Sequence, residues 1–134
     1  MLFASRKWLR TFASLAGVVL LLAVGELYRR EAAFSAAEDG LRLQWEGEAQ
    51  RALERFQTAE LLSRHAFWDS DVHAAALYGV GISYADLKRY DEAETTLRDA
   101  IPRLEAVLGA ANPRLVVAYK RLDAVIREKN GVAR

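Results

Sequence analysis

Slid along itself by about 42 residues, this chain lays one apolar stripe on top of another. With Asp71 set against Pro113, Leu77 falls on Tyr119, Val80 on Leu122 and Tyr84 on Ile126, and Lys88 reaches the turn at Asn130 and Gly131. A shift of about 41 the other way sets Ala93, Leu97 and Ala100 on Ala52, Phe56 and Ala59, and Gly81 on Gly40. A pattern that recurs over this distance builds a stack of similar units, each covering the apolar face of its neighbour. The order read from the two shifts is helix A, helix B, helix A, helix B, helix A.

That each element is a helix follows from composition and spacing. Between residues 32 and 127 Ala, Leu, Glu and Arg dominate, and the prolines are Pro102 and Pro113, the latter closing a joint that begins at Gly109. Apolar residues recur at the spacing of one helix face, as at Leu77, Val80, Gly81 and Tyr84, and again at Ala93, Leu97, Ala100, Ile101 and Leu104. Strands are not indicated. Pro102 removes a backbone donor inside the second helix of the central unit and is expected to bend or break it near Arg98.

In the central unit Leu77, Gly81, Tyr84, Tyr90, Ala93, Leu97 and Ala100 stand at the spacing of a known signature. Residues 88–94 (Lys-Arg-Tyr-Asp-Glu-Ala-Glu) match its turn and second-helix start, and residues 108–113 (Leu-Gly-Ala-Ala-Asn-Pro) match the linker that ends a unit. The chain thus resembles the tetratricopeptide repeat in its longer, kinesin-light-chain-like form, with a period of about 42 residues. The resemblance implies an array of antiparallel hairpins, about two and a half repeats, in which Gly81, Ala93 and Ala100 let backbones approach while Leu77, Tyr84 and Leu97 fill the holes between them. In the first unit Gly40, Leu43, Gly47, Ala52, Phe56 and Ala59 fit, whereas Ala36 and Asp39 replace large apolar residues. In the third, Asp123 stands where the family prefers a small residue and the chain stops after one helix, as terminal units with one uncovered face often do.

The resemblance also implies where a partner would touch. The family lines its concave face with the first helix of each hairpin, which makes Ala75, Tyr78, Gly79, Ile82 and Asp86 of the central unit, with Lys120 and Arg127 of the last, the candidate partner-binding residues. The family's clamp for peptide carboxyl termini needs Lys and Asn at places that Tyr78 and Ile82 occupy here, which argues against that ligand. A mixed aromatic and basic groove suits a segment carrying apolar and acidic side chains.

The N-terminus reads differently. Residues 11–25 are uncharged, and Trp8, Leu9, Leu27 and Tyr28 extend the apolar stretch to about 21 residues, roughly 31 Å of helix, enough to cross a bilayer if Arg10 and Glu26 snorkel. The expectation is therefore an all-α chain with an N-terminal transmembrane helix or signal segment at residues 1–30 and a tetratricopeptide-like helical domain at 31–134. Arg6, Lys7 and Arg10 would hold the N-terminus in the cytoplasm and send the helical domain to the exported side, periplasmic or extracytoplasmic, although Arg29 and Arg30 pull against that orientation. The competing expectation is a secreted or periplasmic protein cleaved near Gly25, since Ala23, Val24 and Gly25 form a small-x-small site.

Charge and residue inventory narrow the chemistry. Nineteen basic residues against eighteen acidic leave a net charge of +1, without the basic excess a nucleic-acid partner requires. The absence of cysteine removes disulfides, thiolate metal sites and cysteine nucleophiles. The two histidines, His65 and His73, flank one interhelical joint without the spacing of a metal motif, and Gly79-Val-Gly81 lacks the Lys-Ser/Thr pair of a phosphate loop. Phe67 and Trp68 precede Asp69, Ser70 and Asp71 as a hydrophobic staple precedes an N-cap, with core packing as their default role and a partner anchor as the alternative for Trp68 and for Trp45. No enzyme, cofactor or metal is expected. The expected function is a membrane-anchored interaction module for other proteins, membrane or envelope proteins first, with contact to the membrane through residues 8–28. The alternative is a small accessory subunit held permanently in a larger membrane complex.

Overall fold

The computed structural model describes residues 2–64 and 70–131, with side chains from residue 14 onward apart from Ser70, and within them it is all-α. Five helices follow one another: α1 (Leu2–Trp45), α2 (Ala49–Ser63), α3 (Ser70–Asp86), α4 (Tyr90–Leu108) and α5 (Pro113–Lys129). Each packs on the next, α1 on α2, α2 on α3, α3 on α4 and α4 on α5, and α1 also touches α3. His65, Phe67, Trp68 and Asp69, with the staple they were expected to form, lie outside the described residues.

The turns repeat as the apolar stripes do. After α1 the Glu48 N–H donates to the Leu43 carbonyl at 2.9 Å around Gly47, whose φ is +79°. After α3 the Arg89 N–H donates to the Tyr84 carbonyl at 2.9 Å around Lys88, whose φ is +60°. Both are left-handed closures of a helix C-terminus, and each lies 41 positions from its equivalent. Glycine meets the requirement in the first turn without cost; Lys88 adopts a conformation that L residues avoid.

Packing between the helices rests on side chains that are absent. A Cβ at Gly81 would lie 2.7 Å from Leu97 Cδ2, so α3 and α4 approach as closely as they do because Gly81 has none. Phe56 of α2 is clamped more tightly still: a Cβ at Gly40 of α1 would come within 2.8 Å of its ring, and one at Gly79 of α3 within 2.5 Å. The ring is 2% exposed and pins three helices together. Beside it Ala36, Ala59 and Ala76 form an all-alanine contact, so Ala36 suits a close approach where a large side chain was expected from the repeat. The larger cluster, Ile82, Ala93, Leu97, Ile101, Ala118 and Val125, joins α3, α4 and α5.

The helix α4 continues through Pro102 to Leu108 as one element, so the proline does not end it. One expectation is corrected: among the described residues no helix is long and apolar enough to cross a membrane. The uncharged stretch ahead of Glu26, residues 11–25, is 15 residues, roughly 22 Å of rise against the ~30 Å of a hydrocarbon core. The turn that would have to prolong it belongs to the folded body: Arg29 pairs with Glu26 and donates to the Leu62 carbonyl at the end of α2. The transmembrane helix and the single-pass placement that rested on it therefore do not stand, and α1 runs unbroken across the boundary expected at residue 30.

Candidate functional site

Where α1 packs on α3, and α3 shares a core with α4 and α5, these helices enclose an apolar groove of about 570 Å³. One wall is α1, with Phe34, Ala37 and Leu41; the centre is α3, with Val72, Ala75, Tyr78, Gly79 and Ile82. The far wall comes from the last turns of α4 (Leu104, Val107 and Leu108) and from Leu115 and Ala118 of α5. Phe56, held under Gly79, reaches the floor. A space of this size and lining suits an apolar body with a few polar contacts at its edge.

Those edge contacts carry both signs. Glu38 and Gln44 stand on α1, Asp71 at the start of α3 and Arg114 at the start of α5. Gln44 donates to the Asp86 carboxylate at 3.4 Å, bridging α1 and α3 past the end of the groove. Burial pushes the Tyr78 hydroxyl above its ordinary pKa, against the opposing pull of Arg121, so it stays a neutral donor at physiological pH. α5 owes its start to Asn112, whose side chain accepts from the Arg114 N–H at 3.0 Å ahead of Pro113, and this fixes Arg114 at the rim.

Of the residues singled out from sequence, Ala75, Tyr78, Gly79 and Ile82 line this groove, with Ala75 exposed and Gly79 and Ile82 buried beneath the surface. Asp86, Lys120 and Arg127 are exposed and lie off its lining. Arg127 donates to the Asp123 carbonyl of its own helix at 3.4 Å. Sequence reasoning missed the α1 wall, Phe34 and Leu41, although a signal was there: Leu20, Leu27, Phe34 and Leu41 recur every seven residues along α1. Trp45, at the end of the same helix, is 90% exposed.

One other cluster has the residue types of nucleophilic catalysis. Ser63 Oγ lies 3.5 Å from His73 Nδ1, and Glu60 Oε1 lies 4.0 Å from the same nitrogen. A triad needs serine and acid on opposite ring nitrogens, and the Ser63 hydroxyl donates to the Ala59 carbonyl at 2.7 Å. The cluster ties α2 to α3. Among the described residues no group of three or more His, Cys, Asp or Glu side chains could hold a metal ion. Scanned against protein-family models, curated proteins and solved structures, the chain matches none.

Proposed function

We propose that this chain is a non-enzymatic docking module, built as a short tetratricopeptide-like array, that takes an apolar helical segment of a protein partner in the groove between α1, α3 and α5. The observation that carries the reading is the groove itself: an apolar trough open to solvent, with a polar and charged edge, formed where like helices of successive hairpins line up. An apolar trough between helices is the kind of surface that takes a helix laid lengthwise, anchored by successive turns of one face. The edge charges, Glu38 and Asp71 against Arg114, would then set direction and register rather than supply most of the affinity.

The test uses a photoreactive amino acid placed at Ala75, inside the groove, and in a second variant at Thr95, exposed on α4. Cross-linking to a discrete protein species from position 75 but not from 95, abolished by a second substitution Tyr78→Arg, is expected. Equal cross-linking from both positions would rule out the groove as the docking surface.

A further inference from the structure

The N-terminal half of α1 poses a problem that its own chain does not solve. From Leu15 to Tyr28, nine large apolar side chains are each 41–74% exposed, and they point in every direction around the helix. A helix that is apolar all round needs cover on several sides, which a single flat contact does not provide. The same chain carries an apolar groove walled by α1, α3 and the adjoining ends of α4 and α5.

We propose that the groove of one copy receives the N-terminal half of α1 from a second copy, the two α1 helices running antiparallel in a closed dimer. The proposal rests on reading the groove as a helix-docking surface and names its occupant. Three features of the chain fit it. Leu20, Leu27, Phe34 and Leu41 form a seam with a seven-residue repeat, each 51–66% exposed, and its last two members, Phe34 and Leu41, already belong to the α1 wall of the groove.

The seam is also self-complementary. A two-fold axis between Arg30 and Glu31 sets each residue of one copy against the residue whose number makes the sum 61 in the other. Leu27 then meets Phe34, Leu20 meets Leu41, and the exposed Trp45 meets the small Ala16. At the axis Arg30 faces Glu31 twice, a reciprocal pairing of opposite charges, and both residues border a shallow depression with Leu27 and Phe34. A parallel pairing would instead bring Arg30 against Arg30.

The third feature is area. The nine side chains expose on the order of 1,000 Å² around the whole helix, and each copy would bury their groove-facing part together with its own groove lining, against the roughly 800 Å² that each partner contributes to a standard stable interface. Because the hairpins of each copy pack beside the C-terminal half of α1, they fall at opposite ends of the paired helices. The contact uses the same surface on both copies and closes, so it yields a dimer and no filament.

The test uses the full chain, which has no native cysteine. Sedimentation at micromolar concentration is expected to give twice the chain mass. Leu20→Cys and Leu41→Cys variants, mixed and oxidised, are expected to cross-link to each other, and neither to itself. Arg30→Glu is expected to weaken the dimer by about tenfold or more, and the exchange Arg30→Glu with Glu31→Arg to restore most of the loss. A monomer at all concentrations, or Leu20→Cys linking to itself, would overturn the proposal. A monomer that still cross-links a different protein from position 75 would leave the docking function standing and remove only the second copy as occupant. A dimer that survives Ala75→Arg with its helical content intact would show that the pairing lies outside the groove and would overturn the proposal as well.

Discussion

Substituting Gly79 by alanine sets two well-measured effects against each other. In an open helix the change is favourable by about 1 kcal/mol, because glycine loses more backbone freedom on folding. Here the new methyl would sit 2.5 Å from Phe56 Cδ1, 2.6 Å from Cε1 and 2.7 Å from Cγ, where ordinary contact begins at 3.4 Å. The ring would have to retreat by 3.4 − 2.5, about 0.9 Å, and Gly40 of α1 already closes on it from the other helix. A rigid aromatic side chain 2% exposed has no such room. Overpacking costs about 1–3 kcal/mol, and an overlap this deep against a ring held on two sides lies in the upper half of that range, so the net change expected for Gly79→Ala is a loss of roughly 1–2 kcal/mol. Urea unfolding followed by far-ultraviolet circular dichroism measures it, with an unchanged slope expected and a lower midpoint. Gly25→Ala, where nothing lies within 4 Å of the added carbon, serves as the control and is expected to be neutral or stabilising. In a Phe56→Leu background the cost of Gly79→Ala should shrink, since the smaller side chain can yield. A midpoint for Gly79→Ala at or above the parent's would refute the argument that Phe56 holds α2 and α3 at their spacing.

Three further outcomes follow from the same packing. Gly81→Ala is expected to destabilise through Leu97, whereas Leu97→Ala alone should cost about 2–5 kcal/mol, and the pair together should cost less than the sum of the two in a double-mutant cycle. Asn112→Ala removes the acceptor for the Arg114 N–H and should lower stability by about 1 kcal/mol, with the loss seen first in amide exchange of α5. The contact between α4 and α5 should depend on pH at both extremes. Hydrogen bonds from Lys129 and Arg98 hold the Glu94 carboxyl below its ordinary 4.5, so its contribution is complete above that value and is lost as acid protonates it. Hydrogen bonds to Asp91 and Glu94 raise Lys129 above 10.5, so its contribution is complete below that value and is lost as pH climbs through the raised one. Amide exchange in α5 should therefore be slowest, relative to its intrinsic rate, in the neutral range, and Lys129→Gln should flatten the profile.

Much of the fold could be read in advance because its determinants are local or periodic. Gly40 and Gly81 mark equivalent places on successive A helices, and the turn at Lys88 repeats the one at Gly47, so comparing the chain with itself located the hairpins. The walls of the groove were legible only in part. Ala75, Tyr78, Gly79 and Ile82 lie on one helix and follow from its phase, whereas Leu104, Val107 and Leu108 arrive because α4 runs on through Pro102, which helix propensity argued against. Phe34 and Leu41 escaped notice because a 42-residue comparison weighs likeness between units and is blind to a seven-residue recurrence within one helix. The membrane span was misread for a related reason: hydropathy counts side chains and does not see that Arg29, through Glu26 and the Leu62 carbonyl, secures the following turn to α2.

The unbroken course of α1 turns the count of its residues into an angle. One residue inserted between Arg30 and Glu31 would swing everything before it by about 100° and advance it by about 1.5 Å, carrying Leu20 and Leu27 out of line with Phe34 and Leu41. Seven inserted residues would bring the row nearly back into line but about 10 Å further out. The helix thus behaves as a keyed shaft, in which length and rotation can be altered separately while the hairpins at its inner end are left as they are.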